Sequence, residues 1–118
     1  MNISSLQLAQ LIANLLEDKK AENTITLDLT NKGAFVDYMV ITSALSGRQA
    51  AALADYVSQL LKQKGIKPYI EGLEQSNWVL IDGGDVLVHI FKPDIRSFYN
   101  LEKMWGEPNV SPKLISEG

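Results

Sequence analysis

Residues 78–91 read WVLIDGGDVLVHIF, two apolar runs, Trp78 to Asp82 and Val86 to Phe91, joined by Gly83-Gly84. Short runs rich in Val, Ile and Trp favour strands, and a glycine pair readily takes the positive φ angles of a tight turn, so the stretch predicts a β-hairpin. Just upstream, Pro68 opens a short strand through Glu71, and Gly72 to Asn77 is a polar loop. Before that, Leu53, Ala54, Val57, Leu60 and Leu61 recur at helical spacing, behind Ser46 and Gln49 at capping-box separation and ahead of Gly65. Nearer the N-terminus, Ile25, Leu27 and Leu29 alternate with Thr24, Thr26 and Asp28, and Tyr38 to Thr42 is a second β-rich run beyond a loop containing Lys32-Gly33. The chain opens with a helical stripe of Leu6, Leu8, Leu11, Ile12, Leu15 and Leu16 after Ser4 and Ser5, with Lys19 and Lys20 where a helix C-terminus favours positive charge.

Downstream of the hairpin, Pro93 and Asp94 open a last helix whose Ile95, Phe98, Leu101 and Trp105 share a stripe, stopped by Gly106 and Pro108. The order α-β-β-α-β-β-β-α predicts an α/β fold, a mixed β-sheet covered by helices. Any parallel strand pair in it needs the second helix as its crossover. The domain is expected to span residues 1–106, with residues 107–118, poor in periodicity and containing two prolines, as a loosely ordered tail.

Composition narrows the function. A chain of 118 residues has room for one core, and 46% hydrophobic against 21% charged residues is ordinary for a soluble globular domain. With no cysteine, disulfides, thiolate metal sites and cysteine nucleophiles are all excluded. The N-terminus carries no basic cluster and its apolar residues are broken by Gln7, Gln10, Asn14 and Glu17, which predicts neither a signal peptide nor a membrane span, and hence a cytoplasmic protein. A net charge of -3 argues against nonspecific attraction to nucleic acid or an anionic membrane, so the expected partner is neutral or basic.

His89 is the chain's only histidine, on the strand face shared with Leu87 and Phe91. With no second histidine or cysteine to join it, the simplest role is a hydrogen-bonded, partly buried imidazole; a metal ligand or general base is the alternative. From Glu71 to Phe91 the chain carries Glu71, Glu74, Asp82 and Asp85 and no Lys or Arg, a local acidic patch. Asp82 and Asp85 either flank the turn for local hydrogen bonding or, with Trp78 on the same hairpin and Tyr99 and Glu102 on the last helix, belong to a protein interface. Metal-assisted phosphoryl transfer needs two carboxylates on one strand face after a Gly-Ser loop, and that pair is missing; no metal and no cofactor is expected. Ser46-Gly47 reads as a helix cap, an anion site being the alternative.

Asp37-Tyr38-Met39, Ser46-Gly47-Arg48, Ala54-Asp55, Gly65 with Pro68, Glu71-Gly72, Trp78 to Asp82, Gly84-Asp85-Val86, Val88 to Phe91, Arg96, and Tyr99 to Glu102 with Trp105 together resemble the ribosomal silencing factor, or Iojap-like, family. The resemblance implies a nucleotidyltransferase-like fold without catalytic carboxylates and no enzymatic activity. It also implies binding to the large ribosomal subunit through its ribosomal protein number fourteen, blocked joining of the small subunit, translational repression when nutrients are short, and a role in subunit biogenesis. The residues it carries to the partner surface are Trp78, Asp82, Gly84, Asp85, His89, Arg96, Tyr99 and Glu102. Two rival readings are a nucleotide-binding or nucleotidyl-transferring enzyme that keeps the ancestral core, and a homodimer formed through the hairpin edge or the last helix.

Overall fold

The computed structural model describes residues 3–31, 33–74 and 77–92 and the backbone of residues 113–115. Two helices, α1 (Ser5–Asp18) and α2 (Gly47–Gln63), accompany six strands: β1 (Glu22–Asp28), β2 (Tyr38–Ser43), β3 (Tyr69–Glu71), β4 (Trp78–Asp82), β5 (Val86–Phe91) and β6 (Lys113–Ile115). They form one mixed sheet in the order β3-β4-β5-β2-β1-β6. β2 and β5 run parallel, and every other neighbouring pair is antiparallel. As expected, α2 lies in the connection that brings the chain back for the parallel pairing, followed by the β3–β4 hairpin.

Each helix starts where a side chain satisfies its free N–H groups. At α1, Ser4 Oγ accepts from the Gln7 amide at 3.1 Å and Gln7 Oε1 accepts from the Ser4 amide at 3.2 Å, a closed capping box. At α2 the box is displaced by one residue. Ser46 Oγ accepts from the Gln49 amide, but Gln49 Oε1 takes the Leu45 N–H at 2.7 Å, and its Nε2 donates to the Lys20 carbonyl at the end of α1. One glutamine thus ties the start of one helix to the end of the other.

Both helices cover one face of the sheet. Leu8, Ala9, Ile12, Ala13 and Leu16 of α1 and Ala50, Leu53, Ala54, Val57 and Leu61 of α2 are buried there against Val40, Val79, Ile81, Val86, Val88 and Ile90. Each fully buried leucine, isoleucine or valine stabilises the fold by roughly 1.5–3 kcal/mol relative to exposure. The helical stripe differs from expectation in detail: Leu6 and Leu11 are 39% and 38% exposed, while Ala9 and Ala13, small enough to let the helix approach closely, face the sheet. Threonines of the sheet are also placed inward. Thr26 is fully buried, and Thr24 and Thr42 share a hydroxyl–hydroxyl bond at 2.6 Å.

The opposite face carries a second apolar cluster of Leu27, Leu29, Val36, Met39, Ile41 and Phe91, with Ile25, Ala34, Trp78 and Leu87 packed against it. The tail differs from expectation in one place. Lys113–Ile115 pair with β1 from Asp28 to Thr26, so the sheet has six strands where five were predicted. A three-residue strand is too short to show periodicity, and the free backbone edge of β1 supplies what the local sequence does not. The last helix predicted from Pro93 to Trp105 lies outside the described residues.

Candidate partner-binding face

Strand pairing decides which predicted residues share a surface. Val79, Ile81 and Ile70 pack against the helices, so their alternates, Trp78, Leu80 and Asp82 on β4 and Tyr69 and Glu71 on β3, face the other way. Tyr69 stands opposite Asp82 and Glu71 opposite Leu80; across the next ladder, Asp82 stands opposite Leu87, Leu80 opposite His89 and Trp78 opposite Phe91. The structure therefore gathers Trp78, Asp82 and His89 on one face. It adds Tyr69, Glu71, Leu80 and Leu87, which sequence reading did not assign to the site.

The aromatic end of this face is an ordered stack. The Trp78 and Phe91 rings stack with centroids 4.9 Å apart and planes inclined by 29°, and the His89 ring lies nearly parallel to Phe91 at 5.9 Å. Trp78 Nε1 donates to His89 Nδ1 at 3.0 Å. That bond requires an unprotonated Nδ1, so the neutral ring carries its proton on Nε2, which is buried without a partner among the described residues. His89 is only 6% exposed, and burial pushes its pKa down to about 4. The predicted hydrogen-bonded imidazole is what the structure shows. A partner cannot reach a side chain so buried, so its contribution to a binding surface runs through Trp78, which stays half-exposed.

The other end is acidic. Asp82 is half-buried and its Oδ1 accepts from the Gly84 amide at 2.8 Å, so it does carry out the local turn bonding expected of it. Only Gly84 of the glycine pair takes a positive φ, +89°. Gly83 is small for another reason: a Cβ there would press on the Leu61 side chain of α2 at 3.0 Å. Asp85 projects its side chain into solvent while its carbonyl accepts from the amides of Asp37 and Tyr38, fastening the turn to the start of β2. At the outer edge Tyr69 is 60% exposed, and the adjacent Glu71 carboxylate, accepting its hydroxyl proton, raises its pKa. The alternation of Tyr69 and Glu71 around inward-facing Ile70 was visible in the sequence, but three residues after a proline give little periodicity to read.

Arg96, Tyr99 and Glu102 lie outside the described residues. Asp28 caps its own loop by accepting from Thr30 N and Oγ1. Among the described residues no group of three or more His, Asp or Glu could hold a metal ion, and no helix is long and apolar enough to cross a membrane.

The profile of the family described as "Ribosomal silencing factor during starvation" matches residues 2–117, past the domain boundary expected at Gly106. A protein of Halalkalibacterium halodurans named ribosomal silencing factor RsfS is 41% identical over 117 residues, covering 98% of this chain and 97% of its own. A crystal structure of a Chromobacterium violaceum protein superposes with a TM-score of 0.84 at 32% identity, covering 98% of this chain and 97% of that one. More distantly, a mouse protein named for mitochondrial assembly of the ribosomal large subunit is 29% identical over 80% of this chain and 43% of its own length. With a family match spanning nearly every residue and full-length relatives in both sequence and structure, the chain belongs to the ribosomal silencing factor (RsfS) family.

Proposed function

We propose that this protein silences ribosomes by occupying the large subunit, through its ribosomal protein number fourteen, so that the small subunit cannot join, and that it represses translation in this way in the nutrient-limited cytoplasm. A contribution to large-subunit biogenesis fits the name of the mouse relative. The observation that carries the reading is the face formed by β3, β4 and β5. A half-exposed tryptophan, stacked on Phe91 and held by His89, stands beside Leu80, Leu87 and the carboxylates of Glu71 and Asp82, with no Lys or Arg between Tyr69 and Phe91. Rigid aromatic anchors within an acidic rim suit a basic protein surface. Phosphate backbone, by contrast, would be repelled.

The role is steric and needs no chemistry. A docking site of standard size buries on the order of 1,200–2,000 Å² in total, enough to cover a patch that another subunit must touch. Arg96, Tyr99 and Glu102 are proposed as members of the same surface on the family resemblance. The reading is tested by mixing separated ribosomal subunits with saturating protein and following association on a density gradient. Free subunits should accumulate in proportion to bound protein. Normal formation of whole ribosomes at saturation would refute it.

A further inference from the structure

Phe35 lies in the loop between β1 and β2 and is fully exposed, at 104% of its reference surface. No other large apolar side chain among those described as exposed comes near this figure; the next, Leu45, is at 65%. Its neighbours behave in the opposite way. Val36 is buried, and Ala34 and Val36 both pack into the apolar cluster on the sheet face that carries Trp78 and Leu87. The loop therefore lies over that face and turns the one large ring outward.

The loop is fastened at both ends. Leu29 N donates to the Asp37 carbonyl at 2.8 Å, Asp37 N donates to the Asp85 carbonyl at 2.8 Å, and Ser5 Oγ donates to Asp37 Oδ2 at 2.9 Å. Asp28 Oδ1 closes the first turn on Thr30. A side chain held out by a fastened backbone loses little freedom on binding, which is what makes an anchor effective. Left in water it contributes nothing to the fold. Among the described residues the loop base is acidic: Asp28, Asp37 and Asp85 border it, and the pKa of Tyr38 there is raised by its burial and then by Asp28 and Asp37.

We infer that Phe35 is a second anchor of the docking surface, entering an apolar pocket rimmed by basic side chains on the ribosomal protein that Trp78 also contacts. The inference rests on the proposed function, and it extends the surface from the β3–β5 face across the Gly84–Asp85 turn to the β1–β2 loop. An aromatic ring can alternatively stack on an unpaired base. The acidic border disfavours RNA, and the two occupants respond differently to substitution, because an apolar pocket accepts leucine whereas base stacking requires a ring.

The test is co-sedimentation of the full-length protein with purified large subunits and, separately, with protein-free large-subunit RNA, using wild type, Phe35→Ala, Phe35→Leu and Trp78→Ala. Phe35→Ala should weaken subunit binding about tenfold or more, as expected of a buried anchor, and Phe35→Leu by only a few-fold. Thermal melting of both Phe35 variants should match wild type, since the ring touches nothing in the free protein. If wild type and Trp78→Ala differ but Phe35→Ala binds like wild type, the anchor is overturned and the proposed function stands. Binding to free RNA that falls with both Phe35→Ala and Phe35→Leu overturns the protein pocket in favour of stacking. Failure of wild type to sediment with subunits overturns both the anchor and the proposed function.

Discussion

The indole N–H of Trp78 is donated to Nδ1 of His89 at 3.0 Å, so a buried residue orients a half-exposed one. His89→Leu removes the acceptor and leaves the indole N–H to find water or stay unpaired, a penalty of about 1–3 kcal/mol if it stays buried. The same change removes the Nε2–H, which has no partner among the described residues, so the net loss in unfolding free energy should be small, within about 1 kcal/mol. Binding should tell more than stability. Affinity for large subunits should fall several-fold as the indole loses its fixed orientation, and His89→Gln, whose Oε1 can accept the same bond, should restore most of it. Equal binding by His89→Leu and wild type would show that His89 does not position Trp78.

The same histidine makes stability depend on pH with a definite sign. Burial lowers its pKa from 6.5 to about 4, so between those values the unfolded chain binds a proton that the folded one refuses. Its contribution is fully present above pH 6.5, falls as pH drops toward 4, and does not fall further below that. At about 1.4 kcal/mol per pH unit across the window, the loss approaches roughly 3 kcal/mol. The nearest carboxylate in the same cross-strand row is Glu71, two strands away and exposed, too solvated to hold the imidazolium. Urea unfolding at pH 7, 6, 5 and 4.5 should show this decline in wild type and a shallower one in His89→Leu. Parallel curves for the two proteins would sink the assignment.

Two glycines with nearly the same φ should respond differently to alanine. Gly72 (φ +92°) and Gly84 (φ +89°) both occupy the left-handed region, where a side chain costs about 1–2 kcal/mol. At Gly84 a Cβ meets open space, so Gly84→Ala should cost about that strain and no more. At Gly72 the Cβ would collide with the backbone carbonyl of Trp78, so β3 or β4 must shift as well. Gly72→Ala should therefore lower the melting temperature more than Gly84→Ala and also weaken subunit binding by displacing Trp78. The reverse ranking in thermal melts would count against this geometry.

Legibility in the sequence followed the length and regularity of each element. The β4–β5 hairpin runs over the residues expected, because two apolar runs around Gly83-Gly84 leave few alternatives. α2 was equally clear from Ser46 and its stripe. Pairing decided the rest. The parallel contact of β2 with β5 and the strand at Lys113–Ile115 are made by backbone groups distant in sequence, which no local pattern reports. Within the site, Trp78, Asp82 and Asp85 were readable as aromatic and acidic residues on one hairpin. That Tyr69 and Glu71 stand beside them, and that His89 serves Trp78 from within, depends on cross-strand register. Phe35 was invisible for the opposite reason: one aromatic in a loop between two strands looks like core until its neighbours are seen to be buried in its place.

The two hairpin carboxylates allow charge to be separated from structure. Asp82 Oδ1 holds the Gly84 amide, so Asp82→Lys should lose about 1 kcal/mol of stability along with its charge. Asp85 contributes to the fold only through its carbonyl, bonded by Asp37 and Tyr38, so Asp85→Lys should melt like wild type. Both reversals place a positive charge where a basic partner is expected, and both should slow association. Screening by salt, whose Debye length is about 10 Å at 0.1 M and 3 Å at 1 M, should then shrink the difference from wild type. Trp78→Ala differs in kind, because loss of a buried anchor acts mainly on dissociation and should cost more than ~tenfold in affinity at any ionic strength. Association and dissociation rates on immobilised large subunits at 50 and 500 mM salt distinguish these effects. If Asp85→Lys binds as fast as wild type at low salt, the partner is not basic at this turn, and the acidic hairpin has to be removed from the docking surface.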